Sequence, residues 1–121
     1  MDMEERVVGE VLVVRPVGKR IDASGSADFK GKMVDRINRG RNLIVLDLSD
    51  VDFIDSSGLG AIVSMLKTLG KKGELRIGGL KETVDSLFRL TRMDRVFRIH
   101  PSAEEAVLAL AAAKSMAKAP A

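Results

Sequence analysis

Residues 43–67 read LIVLDLSDVDFIDSSGLGAIVSMLK, and the pattern changes twice within them. Leu43 to Leu48 is a nearly continuous apolar run of strand length, interrupted only by Asp47, as a strand covered on both faces requires. From Gly58 to Leu69 the apolar residues switch to helical spacing, with Leu59, Ile62, Val63, Leu66 and Leu69 on one stripe. The loop between them, Ser49 to Asp55, is rich in Asp and Ser. A buried strand that passes through a short loop into a helix begins a crossover connection, so a parallel neighbour is expected.

Upstream, Phe29, Met33 and Ile37 recur every four residues in a helix that Ser24 can cap and Gly40 can stop. Before that, Glu4 to Val8 and Val11 to Val17 are β-branched runs separated by Gly9-Glu10, a pair suited to a tight hairpin. Downstream, Gly70 and Gly73 break the central helix, and Leu75 to Ile77 is a short strand closed by Gly78-Gly79. A helix over Lys81 to Leu90 follows, with Val84, Leu87 and Phe88 inward, then a strand over Val96 to Ile99. Ser102, three residues before Glu105, forms a capping box for an alanine-rich helix to about Lys114. The expected fold is an α/β single domain in the order ββαβαβαβα: a mixed sheet that opens with a hairpin, with packed helices. The domain is expected over residues 1–116, with 117–121 as a disordered tail.

A chain of 121 residues, 45% of them apolar, suffices for one core and is short for two. Only 3% are aromatic, so the core is aliphatic. The absence of Cys excludes disulfides, thiolate ligands and a cysteine nucleophile, and a single His excludes a histidine-rich metal site. Met1 to Arg6 is charged and precedes no long apolar stretch, which predicts no secretion signal, no membrane span and a cytoplasmic location. The net charge of +3 raises the question of nucleic acid. Basic residues gather at Lys30, Lys32, Arg36, Arg39 and Arg41, and again at Arg89, Arg92, Arg95 and Arg98, but acids are interspersed and no aromatic residues are grouped for stacking on bases. Solvated helix faces are the expected reading.

The chemistry concentrates in Asp52 to Gly60, which places the hydroxyls of Ser56 and Ser57 at a helix N-terminus. Backbone N–H groups there lack intrahelical partners and the dipole favours negative charge, so a phosphate is well accommodated. Gly58 and Gly60 carry no side chains and let a large partner approach. Read from the residues alone, Asp55 or Ser56 serves equally as an ordinary N-cap, and Phe53 and Ile54 as core anchors.

Other chemistries fit less well. Ser56, Asp55 and His100 are the ingredients of a hydrolase, but no G-x-S-x-G elbow is present and His100 belongs to a distant strand end. An aspartyl-phosphate receiver at Asp47 needs acids on an earlier strand to hold magnesium, and Val11 to Val17 supplies none. Gly58-Leu59-Gly60 is a lone G-x-G without a phosphate-loop lysine.

Residues 43–67 closely resemble the central segment of the anti-sigma factor antagonists of the STAS domain family. Val17 to Ala23 resembles that family's Gly and hydrophobic-Asp turn, with three residues between Gly18 and Asp22 where two are expected, so that either the turn is enlarged or the Gly is shifted. Gly73 to Ile77 and Val84 to Phe88 fall where a strand and a helix are expected, and the likeness extends over about residues 4 to 113. The resemblance implies that Ser56 is phosphorylated, with Asp22 and Asp55 as acidic neighbours, and that Asp22, Asp55, Ser56, Ser57, Gly58 and Gly60 meet the partner. It implies partner switching. The unphosphorylated module binds an anti-sigma factor that is also a serine kinase of the GHKL ATPase type, the sigma factor is freed, and a PP2C-type phosphatase resets the module. No catalytic role, cofactor, direct nucleic-acid contact or membrane contact is implied. A STAS module that acts as a phosphorylation-independent scaffold stands as the alternative.

Overall fold

The computed structural model describes residues 1–117. A hairpin opens the chain, β1 (Met3–Val8) antiparallel to β2 (Val11–Pro16), with Val8 opposite Val11 across the Gly9-Glu10 turn. Three further strands, β4 (Leu43–Asp47), β6 (Glu74–Gly78) and β7 (Arg98–His100), add in parallel to give the sheet order β1-β2-β4-β6-β7. Two strands of two residues each, β3 (Arg20–Ile21) and β5 (Phe53–Ile54), pair in parallel as a separate ladder. The helices are α1 (Ser26–Asn38), α2 (Ser56–Leu69), α3 (Glu82–Leu90) and α4 (Ala103–Ala117), with single 3-10 turns at Gly70–Lys72 and Met93–Arg95.

Alternation along the strands divides the interior in two, because successive side chains leave a strand on opposite faces. Leu12, Val14, Ile44, Leu46, Leu75 and Ile77 join Phe29 and Met33 of α1, Ile62 and Met65 of α2, and Val84 and Phe88 of α3 in the larger core. The intervening residues Val11, Val13 and Val45 meet Ala103, Ala106, Val107 and Leu110 of α4 on the other face. This two-sided burial explains the continuous apolar run of β4. The mixed α/β single domain with its opening hairpin is therefore present as the sequence predicted, with β3 and β5 added to the predicted order.

Four local expectations are corrected. Ser24 does not cap α1: its Oγ donates to Asp22 Oδ1 at 2.6 Å, and the helix start is held by Ser26 N–H donating to the Asp22 carbonyl at 2.8 Å. The central helix begins at Ser56 rather than Gly58. The last strand begins at Arg98 rather than Val96, because the 3-10 turn consumes residues 93–95 and leaves Val96 in helical geometry and 48% exposed. The final helix runs to Ala117, three residues past its expected end, so the expected tail begins inside it; residues 118–121 lie outside the described residues. Its start is as expected, with Ser102 Oγ accepting the Glu105 N–H at 3.1 Å.

Candidate functional site

The site is built where the small ladder meets the first turn of α2. Asp52 and Phe53 donate their N–H groups to the Lys19 carbonyl at 2.7 and 3.1 Å, and Asp55 donates to the Ile21 carbonyl at 3.2 Å. These bonds tie the loop after β4 to the loop before α1. Two residues cannot nucleate a strand on propensity alone, so this ladder exists because Ile21 and Ile54, at 0% and 4% exposure, are anchored in the core.

Asp55 joins the two loops a second time. Its backbone is extended, as an N-cap requires, and its Oδ1 accepts the Gly58 N–H at 2.9 Å. Its Oδ2 accepts the Ala23 N–H at 3.1 Å, which places the Asp22 turn beside the helix start. Asp22 is itself engaged: Oδ1 accepts from the N–H and Oγ of Ser24, and Oδ2 from Arg20 Nε at 3.2 Å. The Ser24 hydroxyl first, and then Arg20, hold the Asp22 carboxyl below its ordinary range.

Ser56 and Ser57 are the first two residues of α2 and both are exposed. Among the described residues the Ser56 hydroxyl has no hydrogen-bond partner, so no base is poised to deprotonate it. His100 is instead engaged across the sheet edge, with Nε2 3.3 Å from Arg76 Nη1. Burial first, and then the Arg76 charge, push its imidazole below its ordinary value of 6.5. No group of acidic or histidine side chains among the described residues is arranged to hold a metal ion, and no helix among them is long and apolar enough to cross a membrane.

The two glycines of the first turn differ in role. Gly58 is buried, and a Cβ on it would lie 2.3 Å from the Ile21 carbonyl oxygen, so the absence of a side chain there serves docking of the helix onto β3 rather than access for a partner. This corrects the reading of Gly58 as an accessible surface position. Gly60 is exposed with no heavy atom within 4 Å of such a Cβ. The surface beside Ser56 also includes Phe53, 42% exposed, with the Arg20 guanidinium 4.2 Å from its ring centroid. The expectation that Phe53 anchors the core is therefore corrected, while Ile54 does so. The signal was present: adjacent residues of a strand point to opposite faces, so Phe53 and Ile54 cannot both be inward. Lys81 closes the rim, with Nζ 2.7 Å from Asp52 Oδ1, and Thr83 Oγ1 donates to the Asp52 carbonyl at 3.0 Å.

The profile of the STAS domain family matches residues 2–106. A candidate anti-sigma factor antagonist of Thermotoga maritima is 34% identical over 84% of this chain and 91% of its own, and the crystal structure of a candidate anti-sigma factor antagonist from that organism, 32% identical, superposes with a TM-score of 0.84 over 89% and 93% of the two chains. The anti-sigma F factor antagonist of Paenibacillus polymyxa is 35% identical over 83% of this chain and 84% of its own. In fold alone the chain is similar to the Bacillus cell fate determinant SpoIIAA in its phosphorylated form, with a TM-score of 0.68 at 20% identity, covering 88% and 96% of the two chains.

Proposed function

This chain belongs to the STAS domain family of non-enzymatic regulators, and we propose that it acts as an anti-sigma factor antagonist switched by phosphorylation of Ser56. The observation that carries the reading is the placement of an exposed, unengaged Ser56 hydroxyl directly after the capping Asp55 and beside the Asp22 turn. The partner is an anti-sigma factor that is itself a GHKL-type serine kinase, and a PP2C-type phosphatase restores the free hydroxyl. The site of action is the cytoplasm. The contact surface comprises Ser56, Ser57 and Gly60 of α2 with the Asp22 turn, extended by Phe53 and Arg20; Asp55 positions it from beneath.

Release is electrostatic. A phosphoryl group adds about −1.5 to −2 charge next to the Asp55 and Asp22 carboxylates. At the exposed helix terminus the dipole offsets about 0.3–1 kcal/mol of this. In a desolvated interface, like charges about 5 Å apart at an effective dielectric near 20 repel by roughly 3 kcal/mol per pair. Repulsion therefore outweighs the dipole, and a net loss of about 4 kcal/mol is a weakening of about a thousandfold. SpoIIAA, solved in unphosphorylated and phosphorylated forms, supports a modification that leaves the fold in place.

The test is incubation with a GHKL-type serine kinase and ATP, followed by phosphopeptide mapping. A single phosphate on Ser56, lost in Ser56→Ala, is expected. A phosphate on Ser57, or none, overturns the assignment, and unchanged partner binding without any phosphate favours a constitutive scaffold.

A further inference from the structure

A second charged surface lies away from Ser56, where the end of α3, the 3-10 turn after it and β7 border a cleft lined by Arg89, Arg92, Arg95 and Arg98, with the exposed Asp94 among them and Arg76 and His100 deeper; the arginines outnumber the acid. The helix α3 begins beside the site, at the Thr83 bond to Asp52, and its nine residues carry the chain about 13 Å away. Arg76 is nearly buried and bonded to Glu74 at 2.8 Å, and Arg89 is paired with Asp85 at 3.0 Å. Arg92, Arg95 and Arg98 are exposed, and none has a carboxylate partner among the described residues. The other arginine-rich cleft, between β1 and α1, differs: Arg36 is held by Glu5 at 2.9 Å and Arg39 by Asp35 at 3.1 Å.

The backbone at this cleft gives an independent indication. Arg92 is the one non-glycine residue with a positive φ among the described residues, at 62°, immediately after the C-cap of α3. That position favours glycine, and α1 ends with Gly40 in the equivalent place at φ 104°. The chain thus keeps a guanidinium where a glycine would be less strained. One aliphatic side chain of the lining is open to a partner: Val96 is 48% exposed. Phe97, the phenylalanine of the lining, is 3% exposed and offers no stacking face to a base.

We propose that this cleft is a docking site for an acidic protein segment bearing aliphatic side chains, with Arg92, Arg95 and Arg98 taking its carboxylates while Val96 takes its apolar groups. The forked guanidinium matches a carboxylate in two hydrogen bonds, and Val96 gives an apolar contact that a simple anion does not use. The inference rests on no property of Ser56.

The experiment titrates the full chain with a dodecapeptide of alternating Glu and Leu, read by calorimetry and by backbone amide shifts. Amide shifts confined to residues 89–100 are expected. Joint reversal of Arg92, Arg95 and Arg98 to Glu is expected to weaken binding roughly tenfold or more, and the matched reversal of Arg36, Arg39 and Arg41 to change it by less than about threefold. Arg92→Gly is expected to melt no lower than wild type while binding the peptide several-fold more weakly. Equal losses from the two triple reversals would show general charge attraction and overturn the proposal. So would equal binding of a Glu–Ser peptide, or tighter binding of a single-stranded DNA dodecamer.

Discussion

Gly58→Ala and Gly60→Ala place the same methyl group two residues apart on one helix, and opposite effects on stability are expected. At Gly58 the new Cβ would sit 2.3 Å from the Ile21 carbonyl oxygen and 2.9 Å from Cγ2 of both Ile21 and Ile54. Favourable carbon contacts lie at about 3.5–4.0 Å, so α2 and β3 must part by roughly an ångström. Overpacking of this kind costs about 1–3 kcal/mol, and its upper end applies because a backbone oxygen cannot rotate away. The gain in helix propensity returns at most about 1 kcal/mol. A net loss of about 1–2 kcal/mol corresponds to a fall in Tm of roughly 5–10 °C for a domain of this size. At Gly60 nothing lies within 4 Å, and the same substitution is expected to raise stability by about 0.5–1 kcal/mol. Urea denaturation with thermal melts measures both. A Gly58→Ala variant that melts at or above wild type would refute the close docking of α2 on Ile21, and with it the account of how Ser56 is positioned.

Removal of the Asp55 carboxylate in Asp55→Ala frees both the Gly58 and Ala23 N–H groups; a loss of about 1–2 kcal/mol is expected by urea denaturation, and a loss below a few tenths would deny its role as a cap. Phe53→Ala is expected to leave Tm nearly unchanged, since the ring is 42% exposed, while weakening the anti-sigma factor contact about tenfold or more by calorimetry. His100 is depressed in the folded state, so the unfolded chain binds its proton more readily. Its contribution to stability is present above about pH 6.5 and lost as pH falls through the lower folded value. Urea midpoints at about pH 8 and about pH 5 should therefore differ, and His100→Gln should narrow the difference. A variant with an unaltered pH response would remove His100 as its source.

The main sheet was legible because β2 and β4 carry side chains that are buried on both faces, which leaves an unbroken apolar run in the sequence. The ladder of β3 and β5 was not: two residues show no periodicity, and their pairing is decided by the distant burial of Ile21 against Ile54. Ser24 has the composition of a cap, but the adjacent Asp22 carboxylate takes its hydroxyl. The early placement of the last strand failed at Arg92, whose left-handed backbone opens a 3-10 turn that no local preference of arginine foretells. At the site, the loop composition marked Asp55 and Ser56 as a helix start, and the structure brings the Asp22 turn beside them through Ala23. Gly58 looked like Gly60 in sequence, and only the three-dimensional neighbourhood of Ile21 separates a packing glycine from an open one. The contact of Arg20 with Phe53 is illegible in the sequence for the same reason, since it joins residues 33 positions apart.

In the proposed switch a phosphate on Ser56 turns off the anti-sigma factor contact by charge while the fold persists. The decisive measurement is calorimetric titration of the unphosphorylated and Ser56-phosphorylated protein against the proposed serine-kinase anti-sigma factor, with a thermal melt of each. Affinity is expected to fall about a thousandfold with Tm nearly unchanged. Equal affinities of the two forms, or a collapse of Tm on phosphorylation, would contradict it.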